Sequence, residues 1–392
     1  MKNKGRGIVW AVLVLVGIFS LCSCTDKKPR TVVLEDSAQA SGAAESGKVY
    51  LYNSFSIIDN EPLDEQLFGW VDNNNAADLI YKEKTGESTI ESVNYKYHFT
   101  KEIMPLTDDI INYGLSPDGR NLAYVQKGGD QMRFLVREIK SGTEKELSGM
   151  DGEFLISGVG IGWSKNGRYL TYSLYDYDTS TYNAAIFDLN NGESRQITLT
   201  LPKADESAQS DILSAAVSDD GEKLLISVAY NANNETSTNS AFLYSIKTNA
   251  LIPAKEFQSY RIRYPDFLSA NEIMFIDGNS SKLYLYDMEK DETTEIGDYI
   301  SYFKLSNDGK NIVYAEYSDD KEYQIYTASL NGTALVNKTQ VYQGLYPQDI
   351  WWSQDKSKIL LRGWFIHIYL KPEAVPAEDF GNILETIIIE LQ

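Results

Sequence analysis

Few side chains in this sequence are equipped for chemistry. "YDYD" (residues 175–178) places two carboxylates, Asp176 and Asp178, at i and i+2. On a strand they would share one face; in a loop they could join a Ca²⁺ site, which calls for six or more oxygens. Asp72, Asn74 and Asp78 raise the same possibility, but no EF-type spacing with its glycine is present. A two-carboxylate glycosidase is equally open, yet among 56 Asp and Glu residues no pair stands out. His98 and His367 are the two histidines, and His367 alternates within "WFIHIYL" as a packed or rim residue would. Cys22 and Cys24 both lie near the N-terminus. The rest of the chain therefore has no thiol for a nucleophile, a disulfide or a zinc site. No Gly-x-Ser-x-Gly elbow occurs. "GVGIG" (158–162) lacks the following helix of a dinucleotide site and reads as a strand with close backbone packing. No catalytic residue, metal or cofactor is assigned.

The elements that must carry these residues are strands in a repeat. "LSPDGRNLAYV" (115–125) alternates with period two around an Asp-Gly, which supplies the positive φ of a tight hairpin turn. The pattern returns in "WSKNGRYLTYS", "VSDDGEKLLIS", the shortened "LSANEIMFI", "LSNDGKNIVYA" and "WSQDKSKILLR". "GWVDNNNAADLIY" (69–81) is a degenerate first copy without the turn glycine. The aligned serines 116, 164, 218, 269, 306 and 353 are spaced by 48, 54, 51, 37 and 47 residues. A third and a short fourth strand follow each hairpin, as in "YNAAIFDLN" and "RQITLT". Four antiparallel strands at this period predict an all-β propeller blade. A β-helix or a pair of sandwiches explains neither the period nor the strand count. Seven blades are expected, with six or eight as alternatives and first strands near Trp70, Leu115, Trp163, Val217, Phe267, Leu305 and Trp352. The seventh blade lacks a fourth strand in sequence order, and "KVYLYNSF" (48–55) is expected to supply it and close the ring. "TIIIELQ" is read as the third strand of that blade, because its β-branched run favours a strand. The alternative is a terminal helix with Ile383, Leu384, Ile387, Ile388 and Leu391 on one face.

Apolar-Ser-Pro-Asp-Gly followed by a basic residue and an apolar strand resembles the WD40-like repeat of TolB-type β-propellers, over about residues 66–362. The resemblance implies a fold and says little of function, because the motif sits in a structural hairpin. Prolyl-oligopeptidases have similar propellers with an attached hydrolase domain, of which this chain shows no sign. Metal-dependent sugar-acid lyases with similar propellers rely on clustered histidines, which His98 and His367 cannot supply alone.

At the N-terminus, Lys2, Lys4 and Arg6 precede a 14-residue apolar run, residues 8–21. That is short for a membrane span and right for a signal peptide. "LCSC" then resembles a bacterial lipobox, with Leu21 at −3, Ser23 at −1 and Cys24 at +1; Cys22 fits less well. The resemblance implies cleavage after Ser23 and lipid on Cys24, the alternative being an uncleaved signal anchor. The expected organisation is a signal peptide over 1–23, a flexible tether over 24–47 and one propeller over 48–392. The expected location is the extracytoplasmic face of the cell membrane. A lipobox with a lone propeller is similar to the YqgU-like lipoproteins of Gram-positive bacteria. The net charge of −20 becomes −23 once the three signal cations are removed. Nucleic acid is therefore not an expected partner.

In a propeller the first-to-second strand turns share one face. The second-to-third loops and the blade connections share the other. The Asp-Gly turns mark the first face as architectural, and ligand binding is expected on the loop face. The candidates there are Tyr175, Asp176, Tyr177, Asp178 and Tyr182 of blade three, Arg261 and Arg263 before blade five, and Tyr346, Asp349, Trp364 and His367 of blade seven. Such aromatic and polar groups suit a protein, peptide or glycan of the cell envelope. The expectation is a monomeric binding or scaffold module anchored to the membrane by lipid. The alternative is a hydrolase or lyase of extracellular polymers using carboxylates at the channel mouth.

Overall fold

The computed structural model describes residues 32–33, 48–56, 65–82, 85–128, 131–151, 154–155, 161–176, 181–199, 209–231, 238–317, 323–365 and 383–391. Its repeating unit begins in the hairpin turn. Ser116 Oγ donates to Asp118 Oδ1 at 2.6 Å and accepts the Asn121 amide at 3.0 Å, while Gly119 N–H donates to the Ser116 carbonyl. The same arrangement joins Ser164 to Asn166, Ser218 to Asp220, Ser306 to Asp308 and Ser353 to Asp355. All five serines are buried, so each hydroxyl satisfies a turn that water does not reach. The two irregular copies substitute other carboxylates. Ser269 donates to Glu272, and Asp72 accepts the amides of Asn74 and Asn75, forming a turn without glycine. Gly119 has φ +70°, and a Cβ there would lie 2.2 Å from the Trp70 carbonyl oxygen, so the turn also needs glycine to pack on the neighbouring blade.

Each hairpin opens a four-stranded antiparallel blade, and seven blades form the ring. The seven first strands end at Trp70, Leu115, Trp163, Val217, Phe267, Leu305 and Trp352, as the repeat predicts. They touch one another around the central channel. Blade three divides its first strand into Phe154–Leu155 and Ile161–Trp163, both paired with Tyr169–Asp176. Gly162 of "GVGIG" lies on that strand, where a Cβ would meet the Ala215 carbonyl oxygen at 1.8 Å. The core consists of seven apolar clusters, one between each pair of adjacent blades. A blade alone therefore buries neither of its faces.

The last blade closes the ring with both ends of the chain. Its order is Leu345–Trp352, Lys358–Phe365, Ile383–Glu390, Val49–Ser56 and finally Val32–Val33. Ile383–Glu390 is thus a strand and not a helix, and Val49–Ser56 is the expected fourth strand. Val32 and Val33 pair with Leu51 and Tyr50, so the segment read as a tether contributes a short edge strand. The seam is pinned by Glu390. Tyr50 Oη donates to its carboxylate at 3.1 Å, Tyr95 Oη donates to it, and the Lys96 ammonium lies 2.7 Å away. Lys96 also sits 5.5 Å from the Tyr50 ring centroid.

Two outcomes follow from these contacts. Ser306→Ala removes the donor to Asp308 and the acceptor for the Asn311 amide, and should cost about 1–3 kcal/mol in denaturant unfolding. Starting the chain after residue 56 removes the buried Tyr50 and Tyr52, about 2–3 kcal/mol each. It should lower the Tm by about 10 °C or more, read by circular dichroism.

Candidate binding site at the channel

Because each first strand runs toward its hairpin turn, its N-terminal end lies on the loop face. The first hairpin of every blade but the third carries a β-bulge, between 67 and 69, 110 and 112, 212 and 214, 263 and 266, 300 and 302, and 347 and 349. A bulge re-aims side chains that a regular strand would fix. In blade five it frees Tyr264 and Pro265, with Tyr264 at φ +50°. Tyr264 packs on Tyr302 with ring centroids 4.8 Å apart. Tyr323 packs on Tyr346 at 4.8 Å and on Tyr317 at 5.1 Å. The Arg263 guanidinium lies 5.3 Å from the Tyr264 ring. Burial, with Tyr264 beside it and Arg263 opposing, pushes the Tyr346 phenol up to about 12. The result is a band of tyrosines around one arginine across blades five, six and seven. Gly278 makes room for it: a Cβ there would lie 2.9 Å from Arg263 Cδ and 3.2 Å from Arg261 Cδ.

The structure places the expected residues unevenly. Arg263 and Tyr346 belong to this band, and Arg261 flanks it. Trp364 stands opposite Tyr346 in the strand register. Asp349 is committed to Arg362, which donates to it through Nε at 3.2 Å and through Nη2. In blade three, Tyr175 pairs with Tyr182 and Asp176 with Thr181 at the loop-face ends of their strands. Tyr177, Asp178 and His367 lie outside the described residues. His98 belongs to the turn between the third and fourth strands of blade one and stacks on Tyr52 at 5.4 Å, and burial lowers its pKa. Asp78 is buried and accepts the Tyr52 hydroxyl at 2.8 Å, while Asp72 serves its own turn. Among the described residues, no group of three or more His, Cys, Asp and Glu is placed to hold a metal ion. Tyr264, Tyr317 and Tyr323 were not among the candidate residues; Tyr317 and Tyr323 end the strands on either side of a variable loop, which was the available signal, and Tyr264 lies on the first strand of blade five.

The hairpin face, expected to be purely architectural, holds a cavity of about 360 Å³ at the channel end. Its walls include Trp163, Tyr264, Tyr302 and Trp351, and Lys165, Asp266 and Lys304 project among them. Asp266 Oδ2 lies 3.5 Å from Lys165 Nζ and 3.9 Å from Lys304 Nζ. Lys165 Nζ, Asp266 Oδ2 and Trp163 Nε1 are all buried atoms with no hydrogen-bond partner. Burial lowers the Lys165 pKa against the pull of Asp266. Lys165 occupies the variable position between the turn serine and Asn166, and Pro117 and Asn307, which occupy the same position in their repeats, also line the cavity. Polar side chains lace the turns together over it. Asn307 Nδ2 donates to the Pro117 carbonyl at 2.7 Å, and Gln354 Nε2 donates to the carbonyls of Val71 and Asp118.

A general acid needs a carboxyl group whose pKa is raised. Asp109, Asp188, Asp308 and Glu390 are among the carboxylates held below their ordinary pKa, the opposite direction. At Glu390, for example, burial pushes upward but Lys96, Tyr95 and Tyr50 outweigh it.

Comparison with known proteins bears on the fold. No family model matches the sequence, and no curated protein sequence matches it. Solved structures do. An oligogalacturonate lyase in complex with manganese superposes with a TM-score of 0.58 at 11% identity, covering 93% of this chain and 96% of that one. The oligogalacturonate lyase of Vibrio parahaemolyticus gives 0.56 at 11% identity, covering 93% and 97%. TolB from Acinetobacter baumannii is also among the similar structures, at 0.38 and 12% identity over 76% and 81%. Likeness at this identity carries the propeller fold and not the YqgU-like grouping.

One turn on the hairpin face offers a titration test. Burial pushes Asp308 upward, but the Lys356 ammonium, the Ser306 hydroxyl and the Lys310 amide outweigh it and hold the carboxyl down to about 2. A depressed carboxyl contributes its full stability above the unfolded value and loses it as pH falls through the folded one. Asp308→Asn should therefore be less stable than the parent at pH 6. The gap should close as pH falls from about 4 to about 2, measured by urea unfolding.

Proposed function

We propose that this protein is a lipid-anchored, extracytoplasmic propeller that binds a protein, peptide or glycan of the cell envelope through its loop face. The band of Tyr264, Tyr302, Tyr317, Tyr323 and Tyr346 around Arg263 carries this reading. Tyr264 and Tyr317 are 37% and 44% exposed, so the band combines rigid aromatic area with phenol tips and one cation. That combination is typical of recognition surfaces. The lipobox at Cys24 supports the anchor. A lyase or hydrolase of extracellular polymers is the second reading. It draws on fold likeness alone.

The test has two arms. Cys24→Ser should abolish lipid labelling and move the protein from the membrane to the soluble fraction; a membrane-bound, unlabelled variant would refute the anchor. For binding, the domain from residue 48 onward is used as bait in envelope extract. Arg263→Ala with Tyr346→Ala should cut capture of its specific component about tenfold, the order expected for hot-spot residues. Capture unchanged in the folded double variant would refute the choice of face.

A further inference from the structure

We propose that the cavity at the hairpin-face end of the channel is a binding site for a small monocarboxylate with a ring or other apolar body. The site shares Tyr264 and Tyr302 with the loop-face band, but its charged groups, Lys165, Asp266 and Lys304, lie outside that band, and the proposal does not depend on the reading given to it. Lys165 and Lys304 flank a single lining carboxylate, Asp266, at 3.5 Å and 3.9 Å. The Lys165 side chain is 13% exposed, and its ammonium is paired with Asp266 alone, at the long distance of 3.5 Å. A buried ammonium with donors unused is costly unless an acceptor reaches it. Asp266 lies too far from Lys165 for a short ion-paired hydrogen bond. Asp219, the other nearby carboxylate, is turned to the Asn166 amide at 2.9 Å and does not line the cavity. Trp163 Nε1 adds a second unused donor in the same wall. Two ammonium groups thus share one carboxylate, and a second acceptor carrying negative charge would complete the set.

The remaining walls set the rest of the ligand. Trp163, Tyr302, Phe303 and Trp351 present ring faces and edges. An engineered apolar cavity of about 150 Å³ accepts benzene, and the roughly 360 Å³ here holds one ring with its substituent. Ring walls and a cationic floor select a carboxylate over a neutral isostere, because the neutral molecule leaves the ammonium unpaired. The Asn307 and Gln354 bridges over the cavity are made by exposed turn side chains, so entry requires rotamer changes and no strand movement.

The probes are benzoate and its neutral analogue benzamide, titrated into the folded domain by tryptophan fluorescence and calorimetry. Benzoate should bind with benzamide at least tenfold weaker. Lys165→Met should abolish the preference. Lys304→Met, at a more exposed position, should weaken benzoate severalfold while keeping the parent circular dichroism, which guards against a misfolded Lys165 variant. Three results would overturn the proposal. One is no benzoate binding up to about 50 mM, an affinity weaker than about −2 kcal/mol. Another is equal binding of benzamide, which would mark an apolar cavity only. The third is benzoate binding that is untouched in a folded Lys304→Met protein, which would place the anion elsewhere.

Discussion

The ring exists because a strand near the start of the domain pairs with a strand at its end. Val49–Ser56 lies against Ile383–Glu390, and every apolar cluster in the molecule spans two neighbouring blades. Leaving that seam open would expose the facing sides of blades one and seven and an unpaired strand edge. Joining such distant segments has a loop-closure cost that grows only slowly with length. The burial of Tyr50 and Tyr52 against Trp70, Ala76 and Val93 offsets it. Glu390 adds direction to this apolar contact. One carboxylate gathers a phenol from the closing strand and a phenol and an ammonium from one turn of blade one, which fixes the register that the triple isoleucine alone would leave free to slide.

Within the ring, the turn motif separates structure from variation. The serine and the Asp or Asn two residues later are consumed by the turn itself. The residue between them has no turn bond to make. Across the repeats it is Pro117, Lys165, Asp219, Ala270, Asn307 and Gln354. Three of these line the cavity, and Gln354 bridges two neighbouring turns above it. The constancy of the turn is what delivers a changing side chain to the same place in each blade.

This division explains what could be read in advance. The hairpins, the end of each first strand, the close packing at Gly162 and the closing strand are all local patterns or their repetition, and periodicity carries such information directly. The relations within the site are not local. Lys165, Asp266 and Lys304 come from blades three, five and six, and nothing in the sequence around each marks the others. Treating the Asp-Gly turns as structural punctuation was right for Asp118 and Asp308 and hid Lys165, one position away from such a residue. The bulge that releases Tyr264 and Pro265 was equally hidden. It depends on two consecutive residues being skipped in pairing with Met274 and Ile276, and a proline in a strand signals an irregularity without saying which way the neighbouring ring will turn.

That bulge links the two ends of the channel. A single six-residue strand, Ile262–Phe267, carries Arg263 at the loop face and Asp266 at the cavity. Tyr264 stands between them at a left-handed backbone angle and contributes to both, packing its ring at a tilt on Tyr302 and lining the cavity. A non-glycine residue with positive φ is held there by its surroundings, here by the ring contact and the guanidinium. A ligand that displaced Asp266 from Lys165 would act on the same short segment that presents Arg263, with two unpaired bulge residues between them. The regular pairing of Phe267 with Ile273 anchors the far end of the strand, so the irregular pairing in this wall of the channel is confined to Tyr264 and Pro265.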